Sequence, residues 1–323
     1  MKKYITIDDF VDVVHKIKQR GLNFILSKIN INGVSRTKKT FNQIEYISAD
    51  WYIIPKIKER WNKLITGDST CNYEKYLVDE VLKNQDKIKL ISFGSGYCSH
   101  EIELAKYSIF DEIICVDVSE KILMEAEKKA KKINLKNIKF ICADINKFDF
   151  EKNYFDIVFF HSSLHHFDNI NFFLENRVKP ILKDDGLLVI NEYVGETRLQ
   201  FSENQIKTIN KAIKIIPEKY RIRSGSKLLK RRFYGPGILR MIIADPSECI
   251  DSQSIRCAIY SGFKIVVEKA YGGNILMSAL KDISHHFVEL NPEKENILKD
   301  LFLIEDDYMK TNSSDFVFGV YRK

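Results

Sequence analysis

The sequence has little of what marks membrane, secreted or repetitive proteins. No apolar run approaches the roughly 18 residues that a membrane-spanning helix needs. The N-terminal stretch MKKYITIDDF reaches acidic residues before any signal-like apolar segment forms. The six cysteines are scattered and form no CxxC pair, which is typical of reduced thiols. Internal repeats and low-complexity linkers are also absent. Because the cysteines are scattered and no apolar run is long enough to span a membrane, we expect a cytoplasmic protein with no integral membrane segment.

What the sequence does contain is enough apolar surface for a substantial core. It has 323 residues, 45% hydrophobic and 12% aromatic, which suggests one large domain or two modest ones. From about residue 87, near-continuous apolar runs alternate with charged helical stretches, a pattern that favours a parallel sheet buried on both faces. The predicted fold is therefore α/β, with a Rossmann-like, mostly parallel sheet flanked by helices. Its strand runs are IKLISF, EIICVDV, IKFICAD, FDIVFFH, GLLVINEY, FKIVVEKAY and DFVFGVYRK.

Helical patterns surround these strands along the chain. Near the N-terminus, Phe10, Val14 and Ile17 fall on one helical face, and a second helix is predicted after Pro55. After Tyr193 the alternation gives way to helical patches broken by proline and glycine. The predicted organisation has four parts: an N-terminal helical extension (1–85), a core (86–195), a helical insertion (196–258) and the C-terminal part of the core sheet (259–323).

A glycine-containing turn follows the first predicted strand. Gly94 and Gly96 let the backbone approach a ligand closely, and the next helix offers its N-terminal N–H groups. A dinucleotide fingerprint needs a third glycine at position 99, where the sequence has Ser99. The turn therefore favours a nucleotide-like ligand but argues against NAD.

Acidic residues follow the next two strands. Asp117 is placed to accept hydrogen bonds from both ribose hydroxyls, or else it caps the following helix. Asp144 is placed to bind an adenine amino group, with Ala143 and Ile145 flanking the ring. Because loops at the carboxyl ends of consecutive parallel strands converge on one crevice, the turn and the two acids together predict an adenosine site.

Three histidines lie in the segment FFHSSLHHF after the fourth strand. His161 and His165 are four residues apart, but no acidic or cysteine ligand lies nearby in sequence, so we predict no metal site. A histidine in this loop would face the reacting centre and could act as a base near neutral pH. For each histidine, including His166, packing at the strand end or a hydrogen bond within the loop is the alternative.

The net charge of +7 is concentrated in one segment. Residues 207–232 hold ten Lys or Arg residues and a single acid, Glu218, so the rest of the chain is slightly acidic. Such a segment suits an anionic partner, or it forms a solvated helix face.

These motifs resemble the class I S-adenosylmethionine-dependent methyltransferases. The resemblance covers roughly residues 85–195, through ISFGSGYCSHEIELA, VDVS, CADI, FDIVFFHSSLHHF and ILKDDGLLVINEY. The family's first turn is usually D-x-G-x-G-x-G, and here Ser92 replaces the acid and Cys98 the last glycine. Both changes touch the methionine end of the cofactor. The family fold is a seven-stranded sheet with an antiparallel edge hairpin, which fits the terminal run DFVFGVYRK.

A narrower similarity to bacterial methyltransferases extends over most of the chain, through IPKIKERWNKLITGD, NEYVGETRLQF, ADPSE and YGGNIL. It implies S-adenosylmethionine as the cofactor and a small-molecule acceptor, such as a sugar, a glycolipid or another anionic metabolite. A hydroxyl acceptor would require a base, because its proton must leave as the new bond forms. The candidate bases are His165, His166, Glu192 and Tyr193.

The same resemblance implies a set of binding residues. The candidate cofactor-binding residues are Phe93, Gly94, Ser95, Gly96, His100, Asp117, Val118, Ala143, Asp144, Ile145, His161, Ser162 and Ser163. The candidate acceptor-binding residues in the insertion are Arg198, Tyr220, Arg221, Arg223 and Lys230, whose charge would hold a phosphate or a sugar acid.

Two other classes of protein stay open. An NAD-dependent oxidoreductase shares the strand–glycine–aspartate pattern, and a non-catalytic S-adenosylmethionine-binding protein is compatible with the altered first turn. Nucleic acid is not an expected partner, because the loop after the fourth strand lacks an N/D-P-P-Y/F-like motif. The oligomeric state is open, with a homodimer as the alternative to a monomer.

Overall fold

A seven-stranded sheet forms the centre of the protein. The computed structural model describes residues 2–20 and 50–323. The strands are β1 (Ile88–Phe93), β2 (Phe110–Asp117), β3 (Ile138–Cys142), β4 (Phe155–His161), β5 (Leu182–Tyr193), β6 (Lys264–Gly272) and β7 (Phe316–Arg322). Their order in the sheet is β3-β2-β1-β4-β5-β7-β6. Strands β1 to β5 are parallel, and β7 runs antiparallel to both β5 and β6. The predicted Rossmann-like fold with an antiparallel edge is confirmed.

Helices cover both faces of this sheet. The α-helices in the described residues are α1 (Ile7–Arg20), α2 (Pro55–Thr66), α3 (Tyr73–Tyr76), α4 (Ser99–Leu104), α5 (Glu120–Lys132), α6 (Ile170–Phe173), α7 (Glu203–Ile215), α8 (Ile238–Ala244), α9 (Ile255–Gly262), α10 (Leu276–Leu280) and α11 (Pro292–Met309). Within residues 2–20 and 50–323, none of the helices combines the length and apolarity needed to cross a membrane.

Burial on both faces explains why the strands read as unbroken apolar runs. Neighbouring residues of a strand point to opposite faces of a sheet. Leu90 and Phe159 belong to one hydrophobic cluster, whereas Ile91 and Phe160, the residues that follow them, belong to the cluster on the other face. Most central strand positions therefore carry apolar side chains, and buried polar residues such as Ser92 and Glu192 are exceptions.

Helix α1 docks on the inserted segment through its acidic residues. Asp8 accepts a hydrogen bond from the Gly235 N–H (2.9 Å), and Asp9 accepts one from the Gly237 N–H (2.8 Å). Both aspartates are only 7% exposed, whereas Phe10 is 66% exposed. The apolar face that periodicity predicts for this helix is thus not the face that it buries in the described residues.

The insertion is less helical than its sequence pattern suggests. Helices α7 and α8 flank residues 216–237, which contain one short 3-10 turn and a single isolated bridge between Ile222 and Leu229. Side-chain contacts with α1 and with α10 hold this stretch in place. The side chain of Ile17 and the polar stretch NGVSRTKKT lie outside the described residues.

Asp315, directly before β7, gives the fold an expected pH dependence. Its carboxylate accepts a hydrogen bond from Gln205 Nε2 (2.7 Å), yet burial raises the pKa of Asp315 to about 7 from an ordinary value of 3.8. The folded state therefore keeps a proton that the unfolded chain has already lost between about pH 4 and pH 7. Stability should fall as the pH rises through this window.

We expect Asp315→Asn to remove this loss. At about 1.4 kcal/mol per pKa unit, the variant should be more stable than the wild type at pH 8 by up to about 4 kcal/mol, with a smaller difference at pH 5. Urea unfolding at the two pH values measures the effect. Asp307→Asn, at a carboxylate that is 78% exposed, is the control and should change little. Parallel pH profiles for Asp315→Asn and the wild type would contradict the assignment.

Candidate active site

The turn after β1 has the backbone of a ligand cradle. Gly94 (φ 67°), Gly96 (φ 51°) and Cys98 (φ 51°) all adopt the left-handed region. A Cβ atom on Gly94 would come within 2.7 Å of Ser163 Cβ, so this position admits no side chain while the loop after β4 lies against it. Cys98 adopts the left-handed conformation that glycine adopts most easily, although it has a side chain.

Asp117 ends β2 beside this turn. Its carboxylate accepts hydrogen bonds from the Gly96 N–H (3.0 Å) and the Ser119 N–H (2.8 Å). Burial raises the pKa of Asp117, and the two backbone bonds oppose that rise. Each carboxylate oxygen has more than one acceptor site, so these bonds leave capacity for hydroxyl donors. Asp117 thus both shapes the glycine turn and presents acceptors at the end of β2, with Val118 following it.

Asp144 lies in the neighbouring loop after β3. The Ala143 N–H donates to the Asp117 carbonyl oxygen (3.0 Å), which ties the two loops together. Asp144 accepts a hydrogen bond from the Asn146 N–H (3.1 Å) and is partly exposed, whereas Ile145 is buried in the core. The three loops that were predicted to converge therefore meet at one edge of the sheet.

Glu101 occupies the place left by the altered first turn, and sequence analysis missed it. The Ser92 hydroxyl donates to Glu101 Oε1 (2.5 Å), so a carboxylate reaches the position where the family has an acid on the strand. Glu101 is 1% exposed, and its Oε2 has no hydrogen-bond partner among the described residues. The available signal was an acid in the first turn of helix α4, directly after a strand in which Ser92 replaces the usual acid.

His100 and His161 lie together near this carboxylate. Their ring centroids are 3.6 Å apart. His100 Nδ1 contacts Glu74 Oε1 (2.5 Å), and His161 Nδ1 contacts the Tyr73 hydroxyl (2.9 Å). Burial and the adjacent His100 hold the pKa of His161 well below its usual value. His161 is therefore a neutral, hydrogen-bonded ring at the end of β4, separate from the other two histidines.

The loop after β4 is organised by Glu192 of β5. Glu192 Oε2 accepts hydrogen bonds from the N–H groups of Ser163 and Leu164 (2.8 Å each). Its Oε1 contacts His165 Nδ1 and also accepts the Tyr193 N–H (3.0 Å). Glu192 is fully buried, so its role in the geometry is to fix this loop and the His165 ring.

The His165 side chain lies against this buried carboxylate and is itself only 9% exposed. Burial disfavours the imidazolium, but the charge of Glu192 and its hydrogen bond outweigh burial and raise the pKa of His165 to about 9. His165 Nε2 lies 3.9 Å from Glu248 Oε1, and His166 Nε2 lies 3.9 Å from Glu248 Oε2. Burial and the charge of His165 lower the pKa of His166. Glu248 comes from the insertion, so sequence proximity gave no sign of it.

A cavity of about 330 Å³ opens beside His165. Its wall includes Ser162 and Tyr193 from the carboxyl ends of β4 and β5, and it is closed by α1 and by the insertion. The Tyr193 hydroxyl donates to the Glu196 carbonyl (3.1 Å), and burial raises the pKa of this phenol well above its usual value. The charged lining residues are Asp8, Asp12, Asp50, Glu248, Asp282, Arg223, Lys230, Arg240 and Lys281.

Two of the five predicted acceptor-binding residues line this cavity, Arg223 and Lys230. The other three lie elsewhere. The Arg198 guanidinium donates to the carbonyl oxygens of Glu248 (2.8 Å) and Pro246 (2.6 Å), so it supports the segment that carries Glu248. The remaining two make polar contacts outside the cavity lining, Tyr220 with Glu293 (2.8 Å) and Arg221 with Glu218 (3.4 Å).

Comparisons with known proteins agree with this architecture. Residues 84–237 match a family model described as a methyltransferase domain. A solved structure of Haemonchus contortus phosphoethanolamine N-methyltransferase 2, in complex with S-adenosyl-L-methionine, is 14% identical over 91% of this chain and 60% of that chain, with a TM-score of 0.52. An S-adenosylmethionine-dependent methyltransferase from Mesorhizobium loti is 14% identical over 78% of this chain and 98% of that chain, with a TM-score of 0.45. No curated protein sequence matches the chain.

The match to a methyltransferase domain over residues 84–237, just under half of the chain, supports a class I S-adenosylmethionine-dependent methyltransferase. The protein is an enzyme, and S-adenosylmethionine is its cofactor. The predictions of family, fold and cofactor are therefore confirmed. The left-handed turn at Gly94 and the acids at the ends of β2 and β3 fit that cofactor, because they offer close backbone approach and acceptors for hydroxyl and amino groups.

Proposed function

We propose that this enzyme methylates a small polar acceptor held in the cavity beside His165. Ligands of open α/β sheets bind at the carboxyl ends of the strands, and the cavity lies at the ends of β4 and β5. Its volume of about 330 Å³ suits a small molecule. The observation that carries the proposal is the His165 ring in the cavity wall, with Nδ1 held by the buried Glu192.

The cofactor would be held by the three loops after β1, β2 and β3. When bound, S-adenosylmethionine supplies an electrophilic methyl group on a sulfonium. Gly94 and Gly96 would let the turn, with Phe93 and Ser95, approach it, and Asp117 and Asp144 would accept hydrogen bonds from its ribose and adenine. The unpartnered oxygen of Glu101, beside His100 and His161, would face its ammonium group, while Ser162 and Ser163 would complete the wall toward the acceptor.

His165 is the residue we propose to activate the acceptor. Its Nδ1 is engaged by Glu192, so Nε2 is the atom available to the cavity. Because the pKa of His165 is about 9, Nε2 accepts a proton from the acceptor only after its own proton has left, so the activity should rise with pH up to about 9. Among the other candidate bases, Glu192 is fully buried with both oxygens in hydrogen bonds, and the Tyr193 hydroxyl is already a donor to a carbonyl. His166 is not among the residues that line the cavity, and it contacts Ser247 Oγ through Nδ1 (3.1 Å).

The acceptor is proposed to be a sugar-like molecule without a large net charge. Five carboxylates and four basic side chains line the cavity, and Arg223 is paired with Asp282. Burial lowers the pKa of Lys230 to about 7, and its Nζ donates to the carbonyl oxygens of Ser278 (2.6 Å) and Lys281 (2.7 Å). The basic residues are thus largely engaged within the protein, which favours a neutral or amino sugar over a phosphate or sugar acid. We also propose that α1 and residues 196–258 act as the cap of this acceptor site.

A panel of acceptors tests this proposal. We expect labelled methyl transfer to neutral or amino sugars, and we expect the matching sugar phosphates to be at least about tenfold poorer in kcat/KM, a difference of about 1.4 kcal/mol. Lys281→Met, at a lining residue, should change KM, whereas the matched Arg221→Met outside the lining should not. Preference for the phosphates would contradict the charge argument, and equal effects of the two variants would contradict the location of the site.

The basic segment does not by itself support a nucleic-acid partner. Lys219 is paired with Glu293 (2.7 Å), Arg221 with Glu218 (3.4 Å) and Arg223 with Asp282. Pairing of this kind leaves a smaller positive field for phosphates. The expected lack of nucleic-acid binding, the cytoplasmic location and the oligomeric state remain predictions from the sequence.

A further inference from the structure

We propose that His165, His166 and Glu248 form a binding site for a divalent transition-metal cation in the wall of the acceptor cavity. The role of that cation rests on the proposed function, whereas its binding rests on the geometry of the three side chains alone. Sequence spacing alone does not predict this site, because Glu248 follows the two histidines by more than eighty residues.

The three ligand atoms already lie close together. His165 Nε2 and His166 Nε2 each lie 3.9 Å from a Glu248 oxygen, and all three ligand atoms are within 4.8 Å of one another. Nitrogen and oxygen ligands bind a metal at about 2.0–2.2 Å, which places neighbouring ligands roughly 3–4 Å apart. A small approach of the side chains therefore completes the set, with two imidazoles and one carboxylate.

The opposite nitrogen of each ring is hydrogen-bonded in a way that directs Nε2 toward Glu248. His165 Nδ1 faces the buried carboxylate of Glu192, which can only accept when ionised. His166 Nδ1 contacts Ser247 Oγ (3.1 Å), and that hydroxyl donates its proton to Asp245 Oδ1 (2.7 Å), so it accepts from His166. Both rings then carry hydrogen on Nδ1 and direct Nε2 toward Glu248, so a cation bound there would replace the proton that the raised pKa of His165 holds on its Nε2. Metal-binding histidines are characteristically oriented by such outer partners.

The segment that carries Glu248 is fixed to the histidine loop. The Ile250 N–H donates to the His165 carbonyl oxygen (3.1 Å), and Arg198 holds the carbonyl of Glu248 itself (2.8 Å). The Cys249 thiol donates to Glu248 Oε1 (3.3 Å), a contact that a cation would displace or share. Glu192, Glu248 and Asp245 surround the two rings with negative charge, which a divalent cation would neutralise.

Three protein ligands leave coordination positions open to the cavity, as in catalytic metal sites. A hydroxyl of the acceptor bound there would have a lowered pKa, and its proton would pass to solvent water. The oxygen would then form a bond to the methyl carbon as the bond from that carbon to sulfur breaks, with its electron pair staying on sulfur as a neutral thioether. The site thus points to an oxygen acceptor.

Cation binding to the chelator-stripped enzyme tests the site. Zn²⁺ titrated by calorimetry should bind at one site per chain, and Co²⁺ should give a visible absorption band. His165→Ala, His166→Ala and Glu248→Gln should each weaken binding by at least about 100-fold, and Glu192→Gln by about 10–100-fold, as a change of an outer partner does. His285→Ala is the matched control, because the adjacent His285 and His286 rings (3.9 Å apart) form a second histidine pair elsewhere. Circular dichroism checks that each variant is folded.

The outcomes separate the cation from the proposed function. Zn²⁺ affinity of the folded wild type no greater than that of Glu248→Gln would overturn the cation site. Full methyl transfer by stripped enzyme, lost in His165→Ala, would overturn the role of the cation but leave the proposed function, with His165 itself taking the proton. Metal binding that needs His165, together with methyl transfer that does not, would support the cation site but overturn its role in methyl transfer and the proposed role of His165.

Discussion

Asp117→Ala is expected to abolish measurable binding of S-adenosylmethionine. The change removes the carboxylate proposed to hold the ribose and also frees the N–H groups of Gly96 and Ser119, which shape the turn. Hydrogen bonds to a charged group contribute about 1.5–3 kcal/mol each. Losing the two bonds from the ribose hydroxyls to Asp117 would therefore weaken cofactor binding by roughly two to four orders of magnitude. Isothermal titration calorimetry of the folded variant measures the loss.

Asp111→Ala is the matched control for this result. Asp111 is an exposed acid at the other end of the same strand, β2, and its removal should leave cofactor affinity unchanged. Asp117→Asn keeps one acceptor oxygen and should fall between the wild type and Asp117→Ala. Affinity retained in Asp117→Ala would mean that the ribose is held by other residues, and that the acid after β2 serves only the turn.

His165→Ala is expected to lower kcat by about 10²–10⁴-fold, the range for loss of a group that activates a proton-bearing acceptor. Cofactor affinity should remain within about twofold, because the loops after β1 to β3 do not depend on this ring. Rapid-quench measurement of a single turnover, with the best acceptor from the panel, isolates the chemical step. His285→Ala again supplies a control at a histidine outside the cavity.

Glu192→Gln separates positioning from direct action at His165. Glutamine keeps an acceptor oxygen for the Ser163 and Leu164 N–H groups but loses the charge beside the ring. If Glu192 acts by orienting His165, this variant should lower kcat by less than His165→Ala and leave the acceptor KM nearly unchanged. A kcat for His165→Ala within threefold of the wild type would contradict the proposed role of His165.

The core of the fold was readable from sequence because its physical cause is local. A parallel strand covered on both faces is apolar at most positions, and the runs predicted for β1 and β4 match the observed strands residue for residue. Strand β5 begins at Leu182, four residues before the predicted run, because its first residues are polar and partly exposed. The glycine turn and the acids after β2 and β3 could likewise be predicted, because each of them lies directly at or after the end of a predicted strand.

The acceptor side was not readable because its contacts are distant and polar. Helix α1 buries Asp8 and Asp9 against backbone N–H groups of the insertion, an arrangement that apolar periodicity does not report. Glu248 reaches the histidines from the insertion, and Glu101 replaces the missing strand acid through Ser92. In each case a polar residue contacts a partner on another element or far along the chain. No periodic pattern in the sequence predicts such a contact.

The most direct test of the proposed cofactor and acceptor sites is a crystal structure of the enzyme with S-adenosylhomocysteine. We expect the ribose to lie on Asp117, the adenine beside Asp144 and the sulfur to point into the cavity lined by His165. The acceptor would then approach from the side closed by α1 and the insertion. A sulfur atom that faces away from this cavity, with the adenosine otherwise bound as expected, would contradict the proposed acceptor site.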